Sequence, residues 1–182
     1  MRNAFILVLL VLASLSLGQE YRPKSGETAL RVVVEGRGMI FIKLHLKEAP
    51  KTTARIIQLA KSGFYDGQKF FRVEKSPRPF LAQIGDPASR TKPMTDPTLG
   101  SGGSGQKIPY EDSGYPNVAG AVGLSALPDN RDSGDSQFYM LMGTFRFLDG
   151  QYTVFGQVVQ GLDVLRTIEK GDRVTTVSVI SG

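Results

Sequence analysis

Short, apolar, often β-branched runs separated by glycine-bearing turns recur along the chain, and this punctuation leaves few folds open. Ala29 to Val34 and Met39 to Leu46 flank the turn Glu35-Gly36-Arg37-Gly38 and read as a hairpin. Within the second run Ile40, Ile42, Leu44 and Leu46 alternate against Phe41, Lys43 and His45, so the first set is expected inward and His45 toward solvent. Further strands are predicted at Lys69 to Val73, Leu81 to Ile84, Val118 to Ser125, Gln137 to Met142, Thr153 to Val159 and Val174 to Ile180. The period changes twice. Pro50 to Ser62, with Ile56, Ile57, Leu59 and Ala60 among lysine and arginine, predicts an amphipathic helix started by Pro50 and stopped by Gly63. Leu162, Leu165 and Ile168 predict a second helix from Leu162 to Lys170. Eight strands and two helices predict a mainly β fold: a closed eight-stranded antiparallel barrel with two capping helices, which satisfies every strand edge.

Composition narrows the chemistry. The chain has no cysteine, which removes disulfides and thiolate nucleophiles. His45 is its one histidine, which argues against zinc sites and serine–histidine relays. The net charge of +5 is scattered, with Arg72, Lys75 and Arg78 the one local cluster. Nucleic-acid binding needs a stripe or patch, so none is expected. Gly100-Ser101-Gly102-Gly103-Ser104-Gly105 lacks the lysine and strand-to-helix setting of a phosphate loop and reads as a flexible surface loop. Asp129, Asp132 and Asp135 miss the calcium-loop template and read as a solvated acidic loop. No cofactor and no metal are expected.

Met1-Arg2-Asn3, an apolar run from Ala4 to Leu17 and small residues at Ser16 and Gly18 read as a secretory signal peptide over residues 1–18. The alternative is an uncleaved membrane anchor, for which the run is shorter than the roughly 20 apolar residues of a span. Residues 19–27, polar with Pro23 and Gly26, read as a linker, and residues 28–182 as one domain. A periplasmic or secreted protein follows, meeting the membrane only through its leader. Without heptads or a long apolar edge, a monomer is expected.

The chemistry concentrates in Phe70-Phe71-Arg72, Pro79-Phe80 and Gln83-Ile84-Gly85-Asp86. An arginine offers a permanent charge and a rigid fork of donors, here between aromatic residues. These motifs resemble the Phe-His-Arg, Pro-Gly-Phe and Gln-Gly-Gly-Asp segments of cyclophilins, the cyclosporin-binding peptidyl-prolyl isomerases. The resemblance continues through Gly123-Leu124-Ser125-Ala126, Gly134-Asp135-Ser136-Gln137-Phe138-Tyr139, Phe147-Leu148-Asp149-Gly150-Gln151-Tyr152 and Val154-Phe155-Gly156-Gln157-Val158. It covers nearly all of residues 28–182.

The resemblance implies peptidyl-prolyl cis-trans isomerisation and a groove for proline-containing peptide segments. It implies catalytic roles for Arg72 and Gln83. It maps a proline pocket onto Phe80, Leu81, Tyr139, Leu148 and Tyr152, with Gln137 and Phe147 completing the wall. Ala126 and Leu127 would form a strand edge for the substrate backbone. The chemistry needs little else. C–N resonance sets a barrier of ~18–20 kcal/mol, and at the twisted transition state the proline nitrogen carries a localised lone pair. A donor aimed at that nitrogen binds the transition state more tightly than the ground state, an effect of ~2.7–4 kcal/mol by analogy with oxyanion holes. Arg72 is the candidate donor, and Gln83 would orient it or hold the substrate carbonyl.

The chain departs from the family pattern at several positions. Phe71 replaces the usual histidine, and Glu74 to Arg78 bring extra residues between arginine and pocket. Tyr139 replaces a phenylalanine, with a hydroxyl that would either enter and wet the pocket or find a buried partner. Tyr152 replaces a histidine. Phe147 replaces a tryptophan that many members use against cyclosporin, so weak cyclosporin binding is expected. Pro128 removes a backbone N–H. A non-catalytic cyclophilin-like module that binds proline segments, as chaperone or scaffold, is the alternative function.

Overall fold

The computed structural model describes residues 19–182. The segment read as a leader lies outside the described residues. The eight strands are β1 (Thr28–Val34), β2 (Gly38–Leu44), β3 (Arg72–Glu74), β4 (Leu81–Ile84), β5 (Ala121–Leu124), β6 (Phe138–Leu141), β7 (Val154–Gln160) and β8 (Val174–Ser181). They form one antiparallel sheet in the order β3-β4-β6-β5-β7-β2-β1-β8. The fold is the mainly β, curled eight-stranded sheet with two helices that the strand pattern predicts.

Its closure differs in detail from a complete barrel. The end strands β3 and β8 share no ladder. The segment before β3 meets the segment before β8 instead, through an isolated bridge between Lys69 and Arg173. Backbone bonds run from Gly67 N to Val174 O (2.8 Å), Val174 N to Gln68 O (2.8 Å) and Phe70 N to Asp172 O (3.0 Å). The run predicted as a strand from Lys69 therefore divides its work. Its first residues close the seam, and Arg72 and Val73, with Glu74 after them, pair with β4.

The helices are α1 (Pro50–Lys61) and α2 (Leu162–Thr167). Pro50 opens α1 where a missing N–H costs nothing. Glu111, far along the chain, accepts from the Lys51 and Thr52 amides and the Thr52 hydroxyl, serving the free donors of the first turn. Ile56, Leu59 and Ala60 face the core. Before α2, Gly161 has φ +88°, and a Cβ there would lie 2.3 Å from the Met39 carbonyl, so only glycine fits. Leu165 and Ile168 are fully buried beneath it.

The alternation expected through Leu46 fails in this half of the molecule. β2 ends at Leu44, so the alternation stops one residue before His45. His45 is buried. Its amide donates to the Phe155 carbonyl at 2.8 Å, and its ring stacks on Tyr115 at 3.7 Å. Loss of solvation lowers its pKa. Leu46, expected inside, is exposed. The segment read as a linker is also packed. Tyr21 covers the outward-facing Phe41, and Glu27 accepts from the Tyr21 hydroxyl, the Lys24 amide and Lys43. The Lys24 amide and then Lys43 and Tyr21 lower the Glu27 pKa to about 2.

The central strands are buried on both faces, and that doubling positions the site. On β4 and β6, Ala82, Ile84, Phe138 and Met140 enter the main core, while Leu81, Tyr139 and Leu141 enter a second cluster on the opposite face. Strand alternation assigns the two sets. The continuous apolar run of β6 is the sequence trace of this double burial.

Candidate active site

Antiparallel register lines up Arg72 with Gln83, Gln83 with Tyr139, and Tyr139 with Gly123 across β3, β4, β6 and β5. Opposed residues point to the same face. The strands therefore carry the arginine, the glutamine and the tyrosine on the face bearing the second apolar cluster.

Arg72 is held on two sides. Its Nε donates to Glu74 Oε1 at 2.7 Å, and its Nη2 lies 2.6 Å from the same oxygen. Its Nη1 donates to Gln83 Oε1 at 3.3 Å. Three of the five guanidinium donors are thus engaged, which leaves one N–H on each terminal nitrogen. The network continues in one direction. Gln83 Nε2 donates to Gln137 Oε1 at 3.0 Å, and Gln137 Nε2 donates to the carbonyls of Gly100 (2.8 Å) and Gly102 (2.6 Å). A carbonyl can only accept, so these two fix the orientation of both amides and leave Gln83 presenting its oxygen to Arg72.

The glycine-rich loop is consequently part of the site and not a flexible surface loop. Asp86, fully buried, accepts from the amides of Gly100 (2.7 Å), Gly102 (3.3 Å) and Ala88 (2.9 Å). Asp135 accepts from the Ser104 amide (2.8 Å), the Gly105 amide (3.0 Å) and the Ser104 hydroxyl. Arg55 of α1 donates to Ser104 Oγ at 2.8 Å. A Cβ at Gly102 would sit 2.4 Å from Asp86 Oδ1, which explains the glycine there. Asp135, expected in a solvated acidic loop, is buried for this reason. Asp132 likewise accepts from the Tyr110 amide. Among the described residues no cluster of histidine, aspartate and glutamate side chains could hold a metal ion.

The apolar pocket lies beside this network. Leu81 and Tyr139, each 4% exposed, are its floor. Phe80, Leu148 and Tyr152 pack against the cluster as partly buried walls. Phe147, 69% exposed, stands at the lip. Phe80 meets Phe145 edge-on at 4.5 Å, and Tyr139 meets Tyr152 edge-on at 5.7 Å. The Tyr139 hydroxyl does not wet the pocket. It donates to Asn117 Oδ1 at 2.8 Å, over Gly123, where a Cβ would lie 2.2 Å from the phenol oxygen. Burial pushes the phenol pKa far up, so it stays a donor. Asn117 in turn donates its amide to Asp149 Oδ1 at 2.7 Å and accepts from the Phe145 amide at 2.8 Å. One buried asparagine thus ties the pocket floor to its wall.

The extra residues between Arg72 and Phe80 do not displace the pocket. The Phe80 amide donates to the Glu74 carbonyl at 2.8 Å, closing the inserted loop, and the Met142 amide donates to the Phe80 carbonyl at 2.8 Å. Arg72 stays opposite Gln83 at one end of the β3–β4 ladder, and Phe80 follows Leu81 at its loop end.

Ala126 and Leu127 line a neighbouring cavity of about 310 Å³ with Gln83, Gln137 and Gly102. They are not a regular strand edge, because β5 ends at Leu124. Leu127 bridges to Asn130 in a tight turn, and its amide donates to Ser133 Oγ at 2.7 Å. Pro128, next in the chain, has no N–H to offer. Glu74, Asp86, Asn117, Asp135 and Phe145 complete the site without having been singled out for it. The Gln-Ile-Gly-Asp motif contained Asp86, but nothing in spacing joined it to a loop fourteen residues away.

Similarity to known proteins points the same way. Residues 29–181 match the family described as "Cyclophilin type peptidyl-prolyl cis-trans isomerase/CLD". A peptidyl-prolyl cis-trans isomerase of Helicobacter pylori is 35% identical over 153 residues, 83% of this chain and 86% of that protein. A cyclophilin-type isomerase of Cryptosporidium parvum superposes with a TM-score of 0.72 at 21% identity, covering 86% of this chain and 99% of that one. A second crystal structure of it, obtained in the presence of the dipeptide Ala-Pro, gives a TM-score of 0.70 at 22% identity over 85% and 99%.

Proposed function

This chain belongs to the cyclophilin-type peptidyl-prolyl cis-trans isomerase family and is such an isomerase; on that premise we propose that Arg72 is its catalytic donor and that it serves proteins exported from the cytoplasm. The observation that carries the mechanism is the unbroken run of donors from Arg72 through Gln83 and Gln137 to the carbonyls of Gly100 and Gly102. A proline ring would seat against Phe80, Tyr139, Leu148 and Tyr152. The preceding carbonyl then turns while the ring stays fixed. As resonance is lost, the free N–H groups of Arg72 meet the growing lone pair on the proline nitrogen. Glu74 and Gln83 hold the fork in place beforehand, so little reorganisation accompanies the twist. No bond is made or broken.

The export reading rests on residues 1–18, with their basic head, apolar middle and small residues before Gln19. Fractionation of bacteria expressing the full chain tests it. Intact mass is expected to place the start of the extracytoplasmic protein near Gln19. A chain lacking residues 1–18 is expected to stay in the cytoplasm and retain isomerase activity. Full-length protein confined to the cytoplasm would contradict export.

A further inference from the structure

The inserted loop places a second cation at the far end of the groove. Along β4 the groove runs from Gln83, which borders Ala126 and Leu127, past Leu81 in the pocket floor to Phe80. Beyond Phe80, the exposed Arg78 lies with its guanidinium carbon 4.8 Å from the centroid of the Phe145 ring. Phe145 is the residue against which Phe80 packs, and it lies 6.1 Å from Phe147 at the lip. The loop is held at both ends, by Phe80 N to Glu74 O and by an ion pair of Lys75 with Glu169 at 2.6 Å.

Among the described residues three other cations around the pocket are matched by carboxylates, while Arg131, on the Leu127 side, stacks on Tyr110 and donates to the Gly150 carbonyl. Arg72 pairs with Glu74, Lys75 with Glu169 and Arg146 with Asp149. Among the described residues Arg78 has no carboxylate within ion-pair distance. Its contact is with a ring, which steadies a guanidinium while leaving its in-plane N–H groups for another acceptor. An unmatched, steadied cation at the rim of a peptide groove favours a negative side chain on the bound segment.

We propose that Arg78 is a specificity-determining residue that selects proline segments carrying a carboxylate side chain on the flank of the proline away from Ala126 and Leu127. This rests on the isomerase reading of the same groove and adds the class of substrate it prefers.

Prolyl peptides with Glu, Gln or Lys at successive positions on each side of the proline test it. Affinity and catalysed cis/trans exchange are both measured at low salt. On one flank only, wild type is expected to favour Glu over Lys by roughly fivefold, the scale of an exposed ion pair set against its repulsive counterpart. Arg78→Gln brings that ratio close to one, and Arg78→Glu reverses it. About 0.5 M salt removes it in wild type. Arg166→Gln on α2, an equal loss of charge away from the groove, leaves the ratio as it was. A wild-type ratio of one overturns the proposal, as does a preference that survives Arg78→Gln or is equal on both flanks. Peptides that bind without accelerated exchange would count against the isomerase reading, while their affinity ratios still decide the role of Arg78.

Discussion

Arg72→Ala is expected to lower kcat/KM for a short Xaa-Pro peptide by about a hundred- to a thousand-fold, the loss found when one preorganised transition-state donor is removed from a dry site. Exchange spectroscopy on the peptide reads it directly. Peptide affinity changes far less, because the pocket of Phe80, Tyr139, Leu148 and Tyr152 is untouched. Stability changes little as well. The Arg72 and Glu74 side chains are 47% and 40% exposed, and an ion pair that open contributes about 0–1 kcal/mol. A large rate loss without unfolding separates catalysis from scaffolding. It also decides against the binding-only alternative, for which Arg72 would be one surface cation among several.

The second large effect is expected at a residue that touches no substrate. Asp86→Ala leaves the amides of Ala88, Gly100 and Gly102 without their acceptor. Each orphaned buried group costs about 1–3 kcal/mol, and with partial relaxation of the loop the domain should lose roughly 3 kcal/mol. Denaturant unfolding measures this. The released carbonyls of Gly100 and Gly102 no longer hold Gln137, so the exchange rate should also fall about tenfold at temperatures well below the new midpoint. A stability loss with a wild-type rate in the cold would confine Asp86 to a structural role.

Much of this architecture could be read from the chain because it follows local rules. Strand alternation, Pro50 at a helix start and the helical spacing of Leu162, Leu165 and Ile168 each depend on a few neighbouring residues. The ordered motifs around Arg72, Gln83 and Gln137 brought those three side chains together before any coordinates. What stayed hidden depends on where distant loops return. Asp86 meets Gly100 and Asn117 meets Asp149 through paths that no periodicity records. The glycine loop looked flexible because its anchors, Asp86, Asp135 and Arg55, lie elsewhere in the sequence. Tyr139 could be weighed as wet or buried, but the choice required Asn117 and the space over Gly123. His45 failed for a simpler reason. Alternation predicts a side only while the strand lasts, and β2 ends at Leu44.

The loop also changes how substitutions near this site should be interpreted. Residues from Gly100 to Gly105, together with Asp86 and Asp135, form a rigid backing for two glutamines and one arginine. On the proposed mechanism, substitutions at positions that never contact a peptide are expected to lower activity through the aim of the guanidinium.

The most direct test is a cycle in which Gln137→Ala is measured with and without Arg72, at enzyme concentrations high enough to read the residual exchange rate. With Arg72 present, loss of Gln137 frees Gln83 and should cost about tenfold in kcat/KM. In the Arg72→Ala background the same change should cost nothing, because there is no guanidinium left to orient. An equal loss in both backgrounds would show Gln137 acting on the substrate by itself and would contradict catalysis through an aimed Arg72.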